Sequence, residues 1–456
     1  DRKTWLLEST AKNSGDLEVP YGHVKNLAIT DFIHKDLVNF SLADLKRSIA
    51  HMADGLKPSQ RKVMFSCFQK NLNAEMKVAQ LAAYVAEKSS YHHGEVSLAE
   101  TIVKLANDYT GSNNVNLLEP CGQFGTRLMG GKDASQTRYI FTRLTSAARK
   151  IFDPKDDPVL NYLDDDGRSI EPEFYVPALP MVLVNGTEGI GTGFSCYVPP
   201  FNPKDISTNI LNFINGKGIQ KMKPWFRGFK GRVFYENETW VTEGIWNMIG
   251  QTIRVTELPP GRWTQDYKEH LDTLTENKTI SSYANNSTTE NVDFVIQGYT
   301  GKDLIKDLKL QKTVRTSNMH LFHPTKGIHK YESAEMILMD FIKLRNEYYN
   351  KRKSHMVNVL KKKVEMYNHR AKFVTMVING TLMVFRRKKK DLEEELSHTF
   401  PKVDGSYDYL LNTKTVDYTE ERVAALLMEV KHSRDELNLT MSTSPLQMWE
   451  NDIKNI

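Results

Sequence analysis

From Ile328 to Asn379 the chain contains neither glycine nor proline, and this run limits the fold more than any other stretch. With no helix-breaking residue in it, the run allows one very long helix or two abutting ones. Ile337, Phe341, Leu344, Tyr348 and Val359 place an apolar stripe along it, and Lys351, Arg352, Lys353, Lys361, Lys362 and Lys363 place a basic face. A break from Gly380 to Tyr418 follows, containing FPKVDGSYDYLL. Residues 420–441 then return as a helix, with Val423, Leu427, Val430, Leu437 and Met441 at near-heptad spacing, interrupted by Arg434. Outgoing helix, tip and returning helix predict an antiparallel coiled coil whose tip suits contact with a second copy of the chain. A hairpin that packs only on its own body is the alternative.

A helix of this length needs other domains to hold it, and 456 residues give room for them. No apolar run approaches the roughly 18 residues that span a bilayer, so no membrane partner is expected. DRKTWLLEST at the start lacks signal-peptide character and has no initiating methionine. Cys67, Cys121 and Cys196 are far apart, with no metal-ligand spacing, so neither a disulfide framework nor a metal site is indicated. The net charge is only +5, but between Lys46 and Arg143 there are 13 Lys and Arg against 8 Asp and Glu, which accounts for the whole surplus. A basic segment of this kind suits a polyanion such as nucleic acid, or is simply a solvated face.

In chain order, residues 1 to about 28 read as a polar connector. A helix follows through Phe32, Leu37, Leu45 and Ile49, then an Asp54-Gly55 turn, then a basic helix opened by Pro58 and carrying Arg61, Lys62, Val63, Phe65 and Phe68. Helix, turn and basic helix is the pattern of a helix-turn-helix, though many helical hairpins share it. A third helix covers about 75–87. SSYHHG follows, with His92 and His93 just before another helix start, where backbone N–H groups favour an anion. The Gly- and Asn-rich stretch 111–131 predicts loops and short strands, with Arg127 and Lys132 projecting. GTEGIGTG, residues 186–193, lacks the order of a dinucleotide fingerprint and runs into PPFNP; what remains is Ile190, an apolar side chain held among glycines. Strands and a helix, YKEHLDTLTE, alternate from about 206 to 326.

The candidate chemistry lies in GGKDASQTRYIFTR, residues 130–143. Tyr139 with Arg138 beside it has the make-up of a nucleophile aimed at a phosphodiester; an ordinary half-buried tyrosine is the bland reading.

Taken together, DGLKPSQRKV, KVAQLAAYVAEKSSYHHGEVSLAETI, GSNN, QFGTR, GGKDA with its Arg-Tyr, EPEFYVPALPMVLVNGTEGIGTG, TELPPGRWT and YKEH resemble, in order and over nearly the whole chain, the DNA breakage-reunion region of eukaryotic-type topoisomerase II. The resemblance implies an α+β multidomain fold: a linker over 1–28, a winged-helix domain over 29–175, a mixed α/β tower domain over 176–335, and a long coiled coil with a helical, dimerising C-gate over 336–456. It implies a homodimer acting on double-stranded DNA. Tyr139 matches the family's nucleophile and Arg138 the arginine beside it; His93 and Arg47 match other residues near the scissile phosphate. Lys57, Arg61, Lys62, Arg127 and Lys132 are expected to contact the DNA backbone, and Ile190 to intercalate and bend the duplex.

Two departures qualify the match. Ser59 stands where the family has glycine. There is also no Glu-Gly-Asp segment or Asp-x-Asp pair of the kind that holds Mg²⁺ in a TOPRIM domain, and no ATPase region. The resemblance therefore places Mg²⁺ mainly on TOPRIM and ATP on the ATPase region, both parts of a longer protein of which this chain is expected to be a fragment. It implies a nuclear location for a cellular eukaryote and leaves the compartment open for a virus. A non-catalytic winged-helix DNA-binding and dimerisation module, or a structural coiled-coil dimer, are the competing readings.

Overall fold

The computed structural model describes residues 3–6 and 26–456. The predicted connector over 1–28 therefore lies mostly outside the described residues. The chain forms two compact units, one of residues up to 345 together with 450–456, the other of residues 346–449. The fold is mixed α and β throughout the first unit and helical in the second.

In the first unit a helical stretch from Ile29 ends in α1 (Val38–Ser48), which buries Val38, Ser41 and Leu45 on one face. α2 (Pro58–Lys70) begins with proline at its first turn, where a missing N–H costs nothing, and ends on Asn71 in the left-handed region. α3 (Val78–Lys88) and α4 (Glu95–Ala106) follow, α4 burying Leu98, Ile102 and Leu105 at helical spacing. Short strands β1 (Met76–Lys77) and β2 (Phe141–Thr142) pair antiparallel. Two hairpins come next, β3 (Tyr162–Asp165) with β4 (Arg168–Pro172), and β5 (Thr187–Gly191) with β6 (Phe194–Val198).

PPFNP is non-helical up to Asn202, so no helix follows directly on the glycines. α5 (Pro203–Ile214) starts at its last proline, capped by the Asn202 side chain. The glycines before it belong to a β-hairpin rather than a strand-to-helix turn, in keeping with rejection of a dinucleotide site.

Strands β7 (Arg232–Glu236) and β8 (Thr239–Glu243) join a three-stranded sheet, and β9 (Ile245–Ile249), β10 (Thr252–Glu257), β11 (Ser282–Asn285) and β12 (Phe294–Gln297) form a four-stranded antiparallel one. On β10 the buried residues alternate, Ile253 and Val255 meeting Phe294 and Ile296 across the pair, and α6 (Thr264–Glu276) covers them with Tyr267 and Leu271. Across residue 175, Asn114 Nδ2 donates to the carbonyls of Val184, Phe201 and Trp225.

The long helix α7 runs Ala334–Ile378. It begins close to the 336 at which the coiled coil is expected; the first residues of the glycine- and proline-free run belong to a further hairpin, Met319–His323 with Gly327–Tyr331. Absence of glycine and proline permits a helix but does not demand one, and here the strand partner decides. Within the second unit α7 meets α8 (Glu420–Ser442) antiparallel: Lys353 Nζ donates to Met441 O at 2.9 Å, while Phe373 and Val374 share a core with Leu426. The buried face of α8 is Leu426, Val430, Ser433 and Thr440, so the stripe read through Leu427 and Met441 is shifted, and both of those are exposed.

Candidate active site and nucleic-acid interface

Tyr139 is 66% exposed while its neighbour Ile140 is 1% exposed. The alternation of an extended segment produces this: Ile140 and Thr142 turn inward, Tyr139 outward. The segment is firmly mounted. Thr137 O and Ile140 O accept from Ala79 and Val78 N–H at the start of α3, and Phe141 exchanges both backbone bonds with Cys121. Behind it, Gly125 lies so close to Gly131 that a Cβ would stand 2.5 Å from the latter's Cα, which explains a pair of glycines with positive φ. Asp133 holds the same loop by accepting from Thr126 N and Oγ1. Among the described residues the Tyr139 hydroxyl has no hydrogen-bond partner; the Arg138 guanidinium lies 4.9 Å from its ring centroid. Arg143 is instead bound in bidentate fashion to Glu119 at 2.6 and 3.1 Å.

His93 is exposed, edge-on to Tyr91 at 5.4 Å, and directly precedes Gly94, the N-cap of α4. His92 faces Asp165 at 3.7 Å. Tyr139 is anchored at the start of α3 and His93 follows its end, and α3 spans about 16 Å at ~1.5 Å per residue. The Tyr139 segment is thus tied to the first turn of α3, and His93 follows five residues after its last.

Arg47, in the last turn of α1, is exposed and donates to Asp44 Oδ1 at 3.0 Å. Asp44 Oδ2 accepts from Thr192 N at 2.9 Å and Thr192 Oγ1 at 3.0 Å, at the turn of the β5–β6 hairpin. Burial works to raise the Asp44 carboxyl, but the bonds from Thr192 and Arg47 hold it below its ordinary range. The hairpin lies flush on α1: a Cβ on Gly189 would meet Ser48 O at 2.1 Å. Lys57 Nζ donates to Glu188 O at 2.7 Å, and burial lowers its pKa. So held, the hairpin projects Ile190 with 80% of its surface exposed. The sequence and the family resemblance named Ile190 and Arg47 but gave no sign of Asp44 and Thr192, whose contact joins residues 148 apart.

The cations expected on the DNA backbone divide. Lys132 is exposed. It lines, with Lys104, Asn107, Tyr109 and Thr137, a cleft of ≈ 440 Å³ beside the Tyr139 segment. Lys57 and Lys62 are half-buried, Lys62 reaching Glu171 at 2.8 Å. Arg61 and Arg127 stand apart from these in being buried. Arg61 is 6% exposed and bonded through Nε to Asp54 Oδ2 at 2.7 Å, and Arg127 is 7% exposed and paired with Glu257. Both guanidiniums are committed to buried carboxylates, since an unpaired buried charge costs far more than a paired one.

Among the described residues there is no group of three or more His, Cys, Asp or Glu side chains able to hold a metal, and no helix long and apolar enough to cross a membrane.

Residues 47–454 match the family described as DNA gyrase/topoisomerase IV, that of its A-type subunit. The chain is 40% identical over 504 residues to DNA topoisomerase 2 of Plasmodium falciparum (isolate K1 / Thailand), covering 100% of this chain and 36% of the relative. It is 38% identical over 518 residues to DNA topoisomerase 2 of Saccharomyces cerevisiae, covering 100% of this chain and 36% of that one. Over 385 residues it is 44% identical to DNA topoisomerase 2 of Bombyx mori, covering 82% of this chain and 25% of the relative. Among solved structures, a Plasmodium falciparum topoisomerase II DNA-binding, cleavage and re-ligation domain superposes with a TM-score of 0.90 at 40% identity, covering 100% of this chain and 66% of that chain. The chain spans about a third of the length of these curated relatives.

Proposed function

Because the chain belongs to the DNA gyrase/topoisomerase IV family, on the side of its A-type subunit, we propose that it is the cleavage and re-ligation core of a type IIA DNA topoisomerase. One observation carries this reading: a tyrosine exposed on a rigid mount, its hydroxyl unpartnered among the described residues and a guanidinium at its side. Tyr139 Oη attacks a phosphodiester phosphorus, forming a phosphotyrosyl bond to the 5′ end as the bond to the 3′ oxygen breaks. The 3′ hydroxyl later attacks the same phosphorus and restores the strand. One phosphate ester replaces another, so re-ligation needs no outside energy source. Arg138 is suited to the extra negative charge of the five-coordinate phosphorus. Arg47 and His93 serve the scissile phosphate, Lys57 and Lys132 the backbone, and Ile190 enters the stack and bends the duplex.

Cutting both strands requires two copies. The second unit offers a surface for dimerisation: Val416 is 78% and Met428 72% exposed. Replacing both by aspartate is expected to convert a dimer to monomer in sedimentation equilibrium, with helicity unchanged. In the longer protein the passage of a second duplex, ATP hydrolysis and Mg²⁺ binding belong to the reaction as well; for a cellular eukaryote the setting is the nucleus, and for a virus the compartment stays open. The steps above use this chain's own side chains and none runs through Mg²⁺.

The test uses a duplex whose scissile 3′-bridging oxygen is sulfur. A thiolate leaves without help from a proton or a metal, so the chain's own residues are sufficient for the first step. Denaturant-trapped adduct mapped to Tyr139 supports the reading. DNA binding with no adduct supports a non-catalytic module. On ordinary DNA the chain alone is expected to cleave poorly, and efficient Mg²⁺-dependent cleavage by it would contradict the assignment of metal binding to another region.

A further inference from the structure

Asp44 stands at the join of two elements that face DNA in the proposed reaction. It lies three residues before Arg47 on α1, and its two oxygens do different work: Oδ1 accepts from Arg47 Nη2 at 3.0 Å, Oδ2 from Thr192 N and Oγ1 at 2.9 and 3.0 Å. The Asp44 side chain is 19% exposed and that of Arg47 57%. An anion in that position would repel a phosphate, so its use is to orient its neighbours.

Each partner needs orienting. A long arginine side chain at a surface samples many rotamers, and fixing one in advance removes part of the entropy lost on binding phosphate. A two-stranded hairpin is barely stable alone; this one is seated by glycine contact with α1, by Lys57 at Glu188 O, and at its turn by Asp44. Thr192 is two residues beyond Ile190, so the Asp44 bonds act on the part of the hairpin that carries the exposed side chain.

We propose that Asp44 is a positioning residue that holds the Ile190 hairpin and the Arg47 guanidinium in one fixed relation, so that wedge insertion and presentation of Arg47 to the DNA backbone occur together. The proposal rests on the cleavage reading above, but half of it concerns DNA shape and is measurable without chemistry.

Asp44→Asn keeps an oxygen to accept from Thr192 and loses the charge that attracts Arg47; Asp44→Ala loses both. Two readouts are needed, the bend of a doubly dye-labelled duplex by energy transfer, and the rate of adduct formation on the sulfur-bridged duplex. For Asp44→Asn the bend is expected to stay within about twofold of the unsubstituted population while the adduct rate falls about tenfold, the scale of one charge-assisted hydrogen bond. That rate should equal that of Arg47→Ala, and combining the two substitutions should slow it no further. For Asp44→Ala the bend should fall to that of Ile190→Ala as well.

A purely structural role would lower both readouts together in Asp44→Asn. That result, or no change in either, overturns the proposal. Failure of the cleavage reading shows elsewhere, as absence of adduct from the unsubstituted chain. Even then the bend decides: loss in Asp44→Ala with retention in Asp44→Asn supports the link to the hairpin, and an unchanged bend in both overturns it.

Discussion

The segment carrying Tyr139 and the turn that opens α2 both look, in sequence, like surfaces for a polyanion, yet they fold to opposite ends. Around Tyr139 the backbone is tied down and the side chains are left outside: Ile140 is buried, and Tyr139, Arg138 and Lys132 are exposed. At the turn before α2 the side chains themselves are inside. Asp54 is fully buried, accepts from Arg61 and from the N–H groups of Leu56 and Tyr175, and is the hub of the turn. The difference lies in burial: the Arg61 guanidinium is closed in with its carboxylate, whereas the Arg47 side chain stays 57% exposed although it too is paired with one.

The contrast can be broken most forcefully at Arg61. Arg61→Ala leaves Asp54 buried without its cation, and is expected to destabilise the chain by about 3–5 kcal/mol. Chemical denaturation without DNA measures this, and the salt dependence of DNA binding by the folded fraction should not change. A slope that falls while stability holds would return Arg61 to the DNA surface.

A second test uses His51, in the same turn. Its ring stacks on Phe174 with centroids 4.5 Å apart, its Nδ1 accepts from Ala53 N–H, and burial pushes its pKa from 6.5 down to about 4. Nδ1 is thus held as an acceptor, which the charged ring is not. The unfolded chain binds a proton between pH 6.5 and 4 that the folded chain refuses. Stability from this group is therefore complete above about pH 6.5 and is lost as pH falls toward 4, by up to about 3 kcal/mol. His51→Gln should remove about one proton's worth of the pH slope in that window, and an unaltered slope would count against a buried neutral ring.

The smallest effect belongs to the exposed side of the contrast. Lys132→Ser should change stability by no more than about 0.5 kcal/mol and lower the slope of log affinity against log salt by about 0.9.

These differences mark what the residues disclosed unaided. The helices were legible wherever apolar residues recur at helical spacing, as at Leu98, Ile102 and Leu105. The setting of Ile190 among glycines left exposure and burial both open, and only the resemblance favoured the exposed side chain that the hairpin carries. The fates of Arg61 and Arg127 did not follow, because a cation's partner is set by the fold: Asp54 is seven residues before Arg61 across a turn, and Glu257 is 130 residues beyond Arg127. The Asp44 bond to Thr192 was hidden for the same reason. On α8, Ser433 and Thr440 occupy the buried face while Leu427 and Met441 lie outside, so hydrophobicity alone set the stripe on the wrong residues. The catalytic assignment of Tyr139 drew on the family resemblance; its exposure and mount are what the structure adds.

Everything proposed for this chain depends on Tyr139 being exposed for chemistry rather than packing, and the denaturant-trapped adduct of Tyr139→Phe, taken beside its melting temperature and DNA affinity, tests that at the source. We expect no adduct, a melting temperature within about 1 °C of the unsubstituted chain because a surface hydroxyl is removed, and unchanged affinity. An adduct that persists in Tyr139→Phe, or a loss of adduct accompanied by a drop of several degrees in melting temperature, would contradict it.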